Sequence, residues 1–165
     1  EFECCIVFIK IYCEDILEKL FLLKTIKNAI FFDFEVRKLL FHRQEILEEL
    51  IRLNKTLQPQ TVFIPAQHDV HQDHQVIYSE GIRAFKFCTL LGYELPWNNT
   101  QFQPTLFKSL THDAVQKKVT SLKEYKSQAH RTYMQEGFVT SLAKVRGVQA
   151  NTVYAEAFEI YRMVH

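Results

Sequence analysis

Glycine, proline and cysteine are all scarce, at four of each in 165 residues. With so little glycine there is no Gly-rich loop to cradle a phosphate, which speaks against an α/β nucleotide-binding protein. Few glycines set against fourteen Phe and seven Tyr also argue against a disordered or low-complexity chain. The four cysteines, Cys4, Cys5, Cys13 and Cys88, do not make a disulfide framework at this length. Adjacent Cys4 and Cys5 would point to opposite faces of a strand and read as small buried apolar residues. Such usage points to a reducing, cytoplasmic setting. An excess of charge of either sign is also lacking: the net charge is +1, and Lys and Arg are dispersed. That leaves no electrostatic footprint for nucleic acid or an acidic membrane surface. No apolar run is long enough to span a bilayer, and no signal-peptide pattern is present. The sequons at Asn54-Lys55-Thr56 and Asn98-Asn99-Thr100 therefore read as chance matches.

What is present is 47% hydrophobic and 24% charged, the make-up of one ordinary globular domain covering residues 1–165. Elements alternate as in an α/β fold with a mainly parallel sheet. Residues 2–12 are a β-branched and aromatic strand, and 14–27 carry apolar residues at helical spacing. Residues 29–34 (AIFFDF) form a short apolar run suited to a buried parallel strand. A helix over 42–56 turns Ile46, Leu47, Leu50, Ile51 and Leu53 to one face, and Pro59 ends it. A strand over 61–65 follows, then a helix reaching about Phe87, a strand over 90–95 and a polar-aromatic loop over 97–103. The remainder reads as a strand over 104–109 and helices over 113–128 and 136–148. A closing segment, 156–162, is open between strand and helix.

The informative stretch is His68-Asp69-Val70-His71-Gln72-Asp73-His74, three imidazoles and two carboxylates within seven residues. These are metal ligands and acid–base groups. They sit just past the end of an apolar strand, where open α/β sheets bind ligands. They also open a helix, whose first N–H groups favour negative charge. The bland account is that Asp73 caps the helix and the histidines are simply polar loop residues.

His71-Gln72-Asp73-His74 after a strand ending in Pro65 resembles the second signature, His-x-Asp-His, of the PIG-L/LmbE-like deacetylases. The stretch from Ile30 through Glu35-Val36-Arg37 resembles that family's third strand and arginine-bearing loop. Leu91-Gly92-Tyr93-Glu94-Leu95-Pro96-Trp97-Asn98-Asn99 resembles its loop near the sugar, and the resemblance runs on through Arg146-Gly147 to Glu156. It covers the chain nearly continuously from about Asp15 to the end. The fold it implies is Rossmann-like, a three-layer α/β/α arrangement with a mainly parallel sheet. The activity it implies is removal of the N-acetyl group from an N-acetylglucosamine-type sugar or sugar conjugate. The implied cofactor is Zn2+ or another divalent metal.

By position, His74 corresponds to a metal ligand, and His71 to the group that stabilises the oxyanion. Asp73 corresponds to the carboxylate that orients a histidine. Trp97, Asn98, Arg37, Arg146 and Glu156 correspond to positions near the substrate. An acetamide is a poor electrophile and water a poor nucleophile at neutral pH, which is why a metal and a positioned imidazole are needed. The family's first motif, His-Pro-Asp-Asp-Glu, does not occur in this sequence. The chain opens Glu1-Phe2-Glu3-Cys4 without an initiator Met and reads like the inside of a longer protein. On this reading the first, central strand of the sheet and two zinc ligands lie upstream, and the 165 residues alone are inactive. The alternative is a non-catalytic sugar-binding relative without a complete metal site. The expected partner is an N-acetylated amino sugar, with self-association left open.

Overall fold

The computed structural model describes residues 30–164. The strand expected over 2–12 and the helix over 14–27 lie outside the described residues. Four α-helices and a four-stranded mixed sheet are seen: α1 Arg43–Leu57, β1 Thr61–Pro65, α2 Gln72–Ala84, β2 Thr89–Tyr93, β3 Leu106–Leu110, α3 His112–Lys123, α4 Glu136–Gln149 and β4 Tyr154–Arg162. Strand order is β1-β2-β4-β3. β1 and β2 pair in parallel, from Thr61 with Thr89 to Pro65 with Tyr93, whereas β2 and β4 pair antiparallel with a bulge at Leu90/Leu91. Among the described ladders the sheet is thus mixed, where the alternation of elements predicts a mainly parallel one. No helix among the described residues is long and apolar enough to cross a membrane.

The chain divides into two compact units. The first, described over 30–103 and 158–164, holds one core of Leu39, Ile46, Leu47, Leu50, Val62, Ile64, Val76, Ala84, Phe85, Cys88 and Leu90. α1 contributes the stripe predicted for it, with Ile46, Leu47, Leu50 and Leu53 buried. Its end comes at Gln58, which takes a left-handed φ of 45° and donates to the Asn54 carbonyl before Pro59. α2 lies close on β1 because Gly81 has no side chain: a Cβ there would stand 3.0 Å from Ile64 Cγ2. The second unit, Pro104–Ala157, packs Val115, Val119, Val139 and Ala143 from α3 and α4. Gly147 of α4 lies so close to the chain that follows that a Cβ would sit 2.6 Å from the Val153 carbonyl oxygen.

Several boundaries differ from those expected. Residues 30–35 form no strand, although Phe32 and Phe34 pack on the core. A strand needs a hydrogen-bonded neighbour, and apolar content alone does not supply one. α2 stops at Ala84, its C-terminal turn closed by Phe85 N–H donating to the Gly81 carbonyl, so 85–87 are turn rather than helix. The helix predicted over 113–128 breaks after Lys123 into a turn and a short 3-10 segment, Lys126–Gln128. The ambiguous tail is strand β4, whose Ala155, Ala157 and Glu159 are buried at a period of two.

Candidate metal and substrate site

Asp69 organises the loop that leaves β1. The residue is 1% exposed, and its N–H donates to the Ala66 carbonyl to close a turn directly after the strand. Its Oδ1 accepts the His71 N–H at 2.8 Å, a side-chain turn two residues on. Its Oδ2 stands 2.7 Å from His74 Nδ1, and its carbonyl accepts from Gln75 Nε2 at 3.1 Å. One buried carboxylate therefore shapes the loop and orients an imidazole. Because an ionised carboxylate only accepts, His74 carries its proton on Nδ1, leaving the lone pair on Nε2.

His71 is the N-cap of α2, at φ −73° and ψ 120°. Its Nδ1 accepts the Asp73 N–H at 3.3 Å, so the proton of the neutral ring sits on Nε2. Capping is therefore done by His71, not by Asp73. The two rings stack with centroids 4.5 Å apart and 30° between planes. Burial above all, then the electrostatic influence of the neighbouring His74 ring, hold the His71 pKa below the ordinary histidine value; Arg37 adds to this, while Asp73 and Asp69 oppose it. The ring facing the loop is thus neutral at pH 7, with Nε2–H as a donor.

Asp73 is fully buried and reaches a different segment. Its Oδ2 accepts the Arg37 N–H at 2.7 Å, while Gln72 Nε2 donates to the Arg37 carbonyl at 2.5 Å. The carboxylate hydrogen-bonded to a histidine ring is Asp69. Asp73 Oδ1 is buried with no hydrogen-bond partner among the described residues. Arg37 itself has φ 68°, a left-handed conformation that a non-glycine residue adopts at a cost.

Residues 95–100 are fastened to the other side of the loop. Val70 N–H donates to the Asn98 carbonyl at 3.0 Å, Thr100 N–H to the His68 carbonyl at 3.1 Å, and Asp69 and Asn99 form an antiparallel bridge. Asn99 Oδ1 accepts the Leu95 N–H at 2.6 Å, which turns the loop and holds Trp97 with 42% of its surface exposed. Burial, with the Asp69 charge second, raises the pKa of Tyr93 at the end of β2.

Six of the expected site residues, Arg37, His71, Asp73, His74, Trp97 and Asn98, belong to the first unit, on three segments tied to one another by these bonds. Arg146 and Glu156 belong to the second unit, where Arg146 Nη1 donates to Gln149 Oε1 and Glu156 accepts from Lys118 Nζ at 2.5 Å. Sequence reasoning did not single out Asp69 as the organiser or Gln72 as a contact of Arg37, and it read Asn99 with Trp97 and Asn98 as part of the loop near the sugar, without its part in turning that loop. An Asp two residues before a helix-capping histidine is the one signal that could have found Asp69. His74 Nε2 fits one position of a metal centre. No group of three His, Cys, Asp or Glu among the described residues could hold an ion, so these residues do not complete a centre.

No protein-family model matches the chain. Solved structures share its fold. The N,N'-diacetylchitobiose deacetylase from Pyrococcus horikoshii superposes at a TM-score of 0.71 with 19% identity, over 88% of this chain. The chain spans only 61% of that deacetylase's length. A deacetylase of teicoplanin biosynthesis matches at 0.64 with 17% identity, over 88% of this chain and 66% of its own. The 4-carboxy-2-hydroxymuconate hydratase from Pseudomonas putida KT2440 matches at 0.58, also with 17% identity, over 84% of this chain and 67% of its own. The fold of this chain is therefore one found in deacetylases and in a hydratase.

Proposed function

We propose that the chain is part of a metal-dependent N-deacetylase acting on an N-acetylglucosamine-type sugar or its conjugate. The observation that carries this reading is the unlike pair of stacked imidazoles. His74 offers a lone pair on Nε2, oriented from behind by Asp69, as a metal ligand requires. His71 offers an Nε2–H, because Asp73 N–H occupies its Nδ1. That donor suits the oxygen of an acetyl carbonyl as negative charge develops on it. A bound zinc, or another divalent metal, would supply Lewis acidity and water activation, with further ligands that the described residues do not provide. Trp97 offers an exposed aromatic face to a sugar ring, and Asn98 an amide to its hydroxyls. Arg37 would supply a guanidinium to an anionic group of the substrate.

The likeness in fold to deacetylases supports the reaction class, and the likeness to a hydratase sets the competing one. Acetate release from N-acetylglucosamine and N,N'-diacetylchitobiose by the zinc-loaded full-length protein tests it. His74→Ala is expected to lose both bound zinc and turnover. His71→Ala should keep zinc while kcat falls by about 10²–10³, the effect of removing one oxyanion donor. Sugar binding without acetate release would instead support the non-catalytic relative.

A further inference from the structure

Arg37 is the one non-glycine residue among those with positive φ that is gripped through its backbone by the candidate site. Three described residues have φ in the left-handed range, Arg37, Gln58 and Asn151. Gln58 ends a helix, and Asn151 lies in the turn just after α4. Arg37 is the third residue of a turn, Glu35–Lys38, closed by Lys38 N–H donating to the Glu35 carbonyl at 3.1 Å, and what sets it apart is that its own N–H and carbonyl are both held from a distant element. Its N–H is taken by Asp73 Oδ2 at 2.7 Å and its carbonyl by Gln72 Nε2 at 2.5 Å, across 36 and 35 residues of sequence. Strained backbone persists where its surroundings over-determine it, and here both hydrogen-bonding groups of the residue are held by the first turn of α2. That same turn carries His71 and His74.

We propose that Gln72 and Asp73 are positioning residues whose task is to hold the Arg37 turn, so that its guanidinium is presented beside His71 as a specificity determinant. This rests on the deacetylase reading above and deepens it. The -Gln-Asp- between the two histidines is then a clamp that couples the substrate-contacting arginine to the catalytic helix. The histidines would keep their geometry without the Asp73 carboxylate, because His71 is bonded by the Asp73 backbone N–H and His74 by Asp69.

The test is a double-mutant cycle between Asp73→Ala and Arg37→Gly, read as KM and kcat on N-acetylglucosamine with the zinc-loaded full-length protein. Glycine is chosen at 37 because it adopts φ 68° without strain. Each single variant should raise KM about tenfold with kcat nearly unchanged, and the double variant should be no worse than Arg37→Gly alone. Hydrogen exchange at the Arg37 amide should speed up in Asp73→Ala. Gln72→Ala, an exposed position, should do the same more weakly and covers the case in which Asp73→Ala does not fold. Additive effects on KM, a fall in kcat at constant KM, or unchanged exchange at Arg37 would overturn the clamp. Absence of acetate release by the wild-type protein would instead overturn the deacetylase reading, and the inference with it.

Discussion

Buried carboxylates divide the work of the candidate site between them. Asp69 and Asp73 are four residues apart and both essentially inaccessible, yet one holds an imidazole and the other a distant backbone. Composition and spacing show that two acids and three histidines share the loop, but not which acid faces which ring. That choice depends on where the chain turns, and the turn is made by Asp69 through its own Oδ1. The consequence is an expectation for Asp69→Asn. An amide could still accept the His71 N–H, but it would lose the charge behind His74 Nδ1. Zinc affinity of the full-length protein, read by chelator competition, should fall 10–100-fold, the usual effect of losing such a carboxylate. Asp73→Asn, whose charge lies elsewhere, should change zinc affinity much less.

Helix α2 is held down by a second buried acid. Glu80 is inaccessible, and its Oε1 accepts from Arg43 Nε at 2.6 Å and lies 2.5 Å from Nη2, while its Oε2 accepts from Arg83 Nη1 at 2.5 Å. Both arginines are about half exposed, so the charge that needs a partner is the carboxylate. Removing one arginine leaves the other in place. Arg43→Met and Arg83→Met should therefore each cost about 1 kcal/mol, as partly exposed pairs do. The double variant strands a buried carboxylate and should cost about 3–5 kcal/mol, well beyond the sum. Urea unfolding of the three variants measures this. Among the elements, α1 and β1 were legible because a helical stripe and an apolar run before Pro65 are local signals. Residues 30–34 carry an equally good local signal and form no strand. Phe32 and Phe34 reach the core while Phe31 stays exposed, and backbone pairing is decided by what lies alongside.

Across the first unit, Tyr161 joins segments that are far apart in sequence. Its hydroxyl accepts the Gln67 N–H at 2.7 Å, directly before the histidine loop, and donates to Glu159, which also accepts the Gln103 N–H at 2.7 Å. Its ring stands edge-on to Tyr78 of α2 and over Gly92 of β2, where a Cβ would sit 2.6 Å from the hydroxyl oxygen. Burial first, then the hydrogen bond to Glu159, raise the Tyr161 pKa above the ordinary tyrosine value. A raised folded-state pKa means that the stability it contributes is fully present below the unfolded value of about 10. It is lost as pH rises beyond that, because the unfolded chain ionises first. Tyr161→Phe keeps the ring and should be about 1 kcal/mol less stable at pH 8. That deficit should shrink as urea unfolding is repeated between about pH 10 and 11.

Local patterning was enough to establish an α/β chain, its main helices and the loop on which the histidines lie. The physical reason is that amphipathic period, helix breakers and ligand-rich loops are encoded within a few neighbouring residues. Tertiary structure alone decided that β4 runs antiparallel to β2, that Asp69 rather than Asp73 faces His74, and that α2 grips the Arg37 turn. It also decided that Arg146 and Glu156 belong to a different unit from the histidines. Each of these is a pairing between groups whose separation in sequence says nothing of their distance in space. A hydrogen bond is worth only about 1 kcal/mol net, so which donor meets which acceptor is set by how the apolar faces pack.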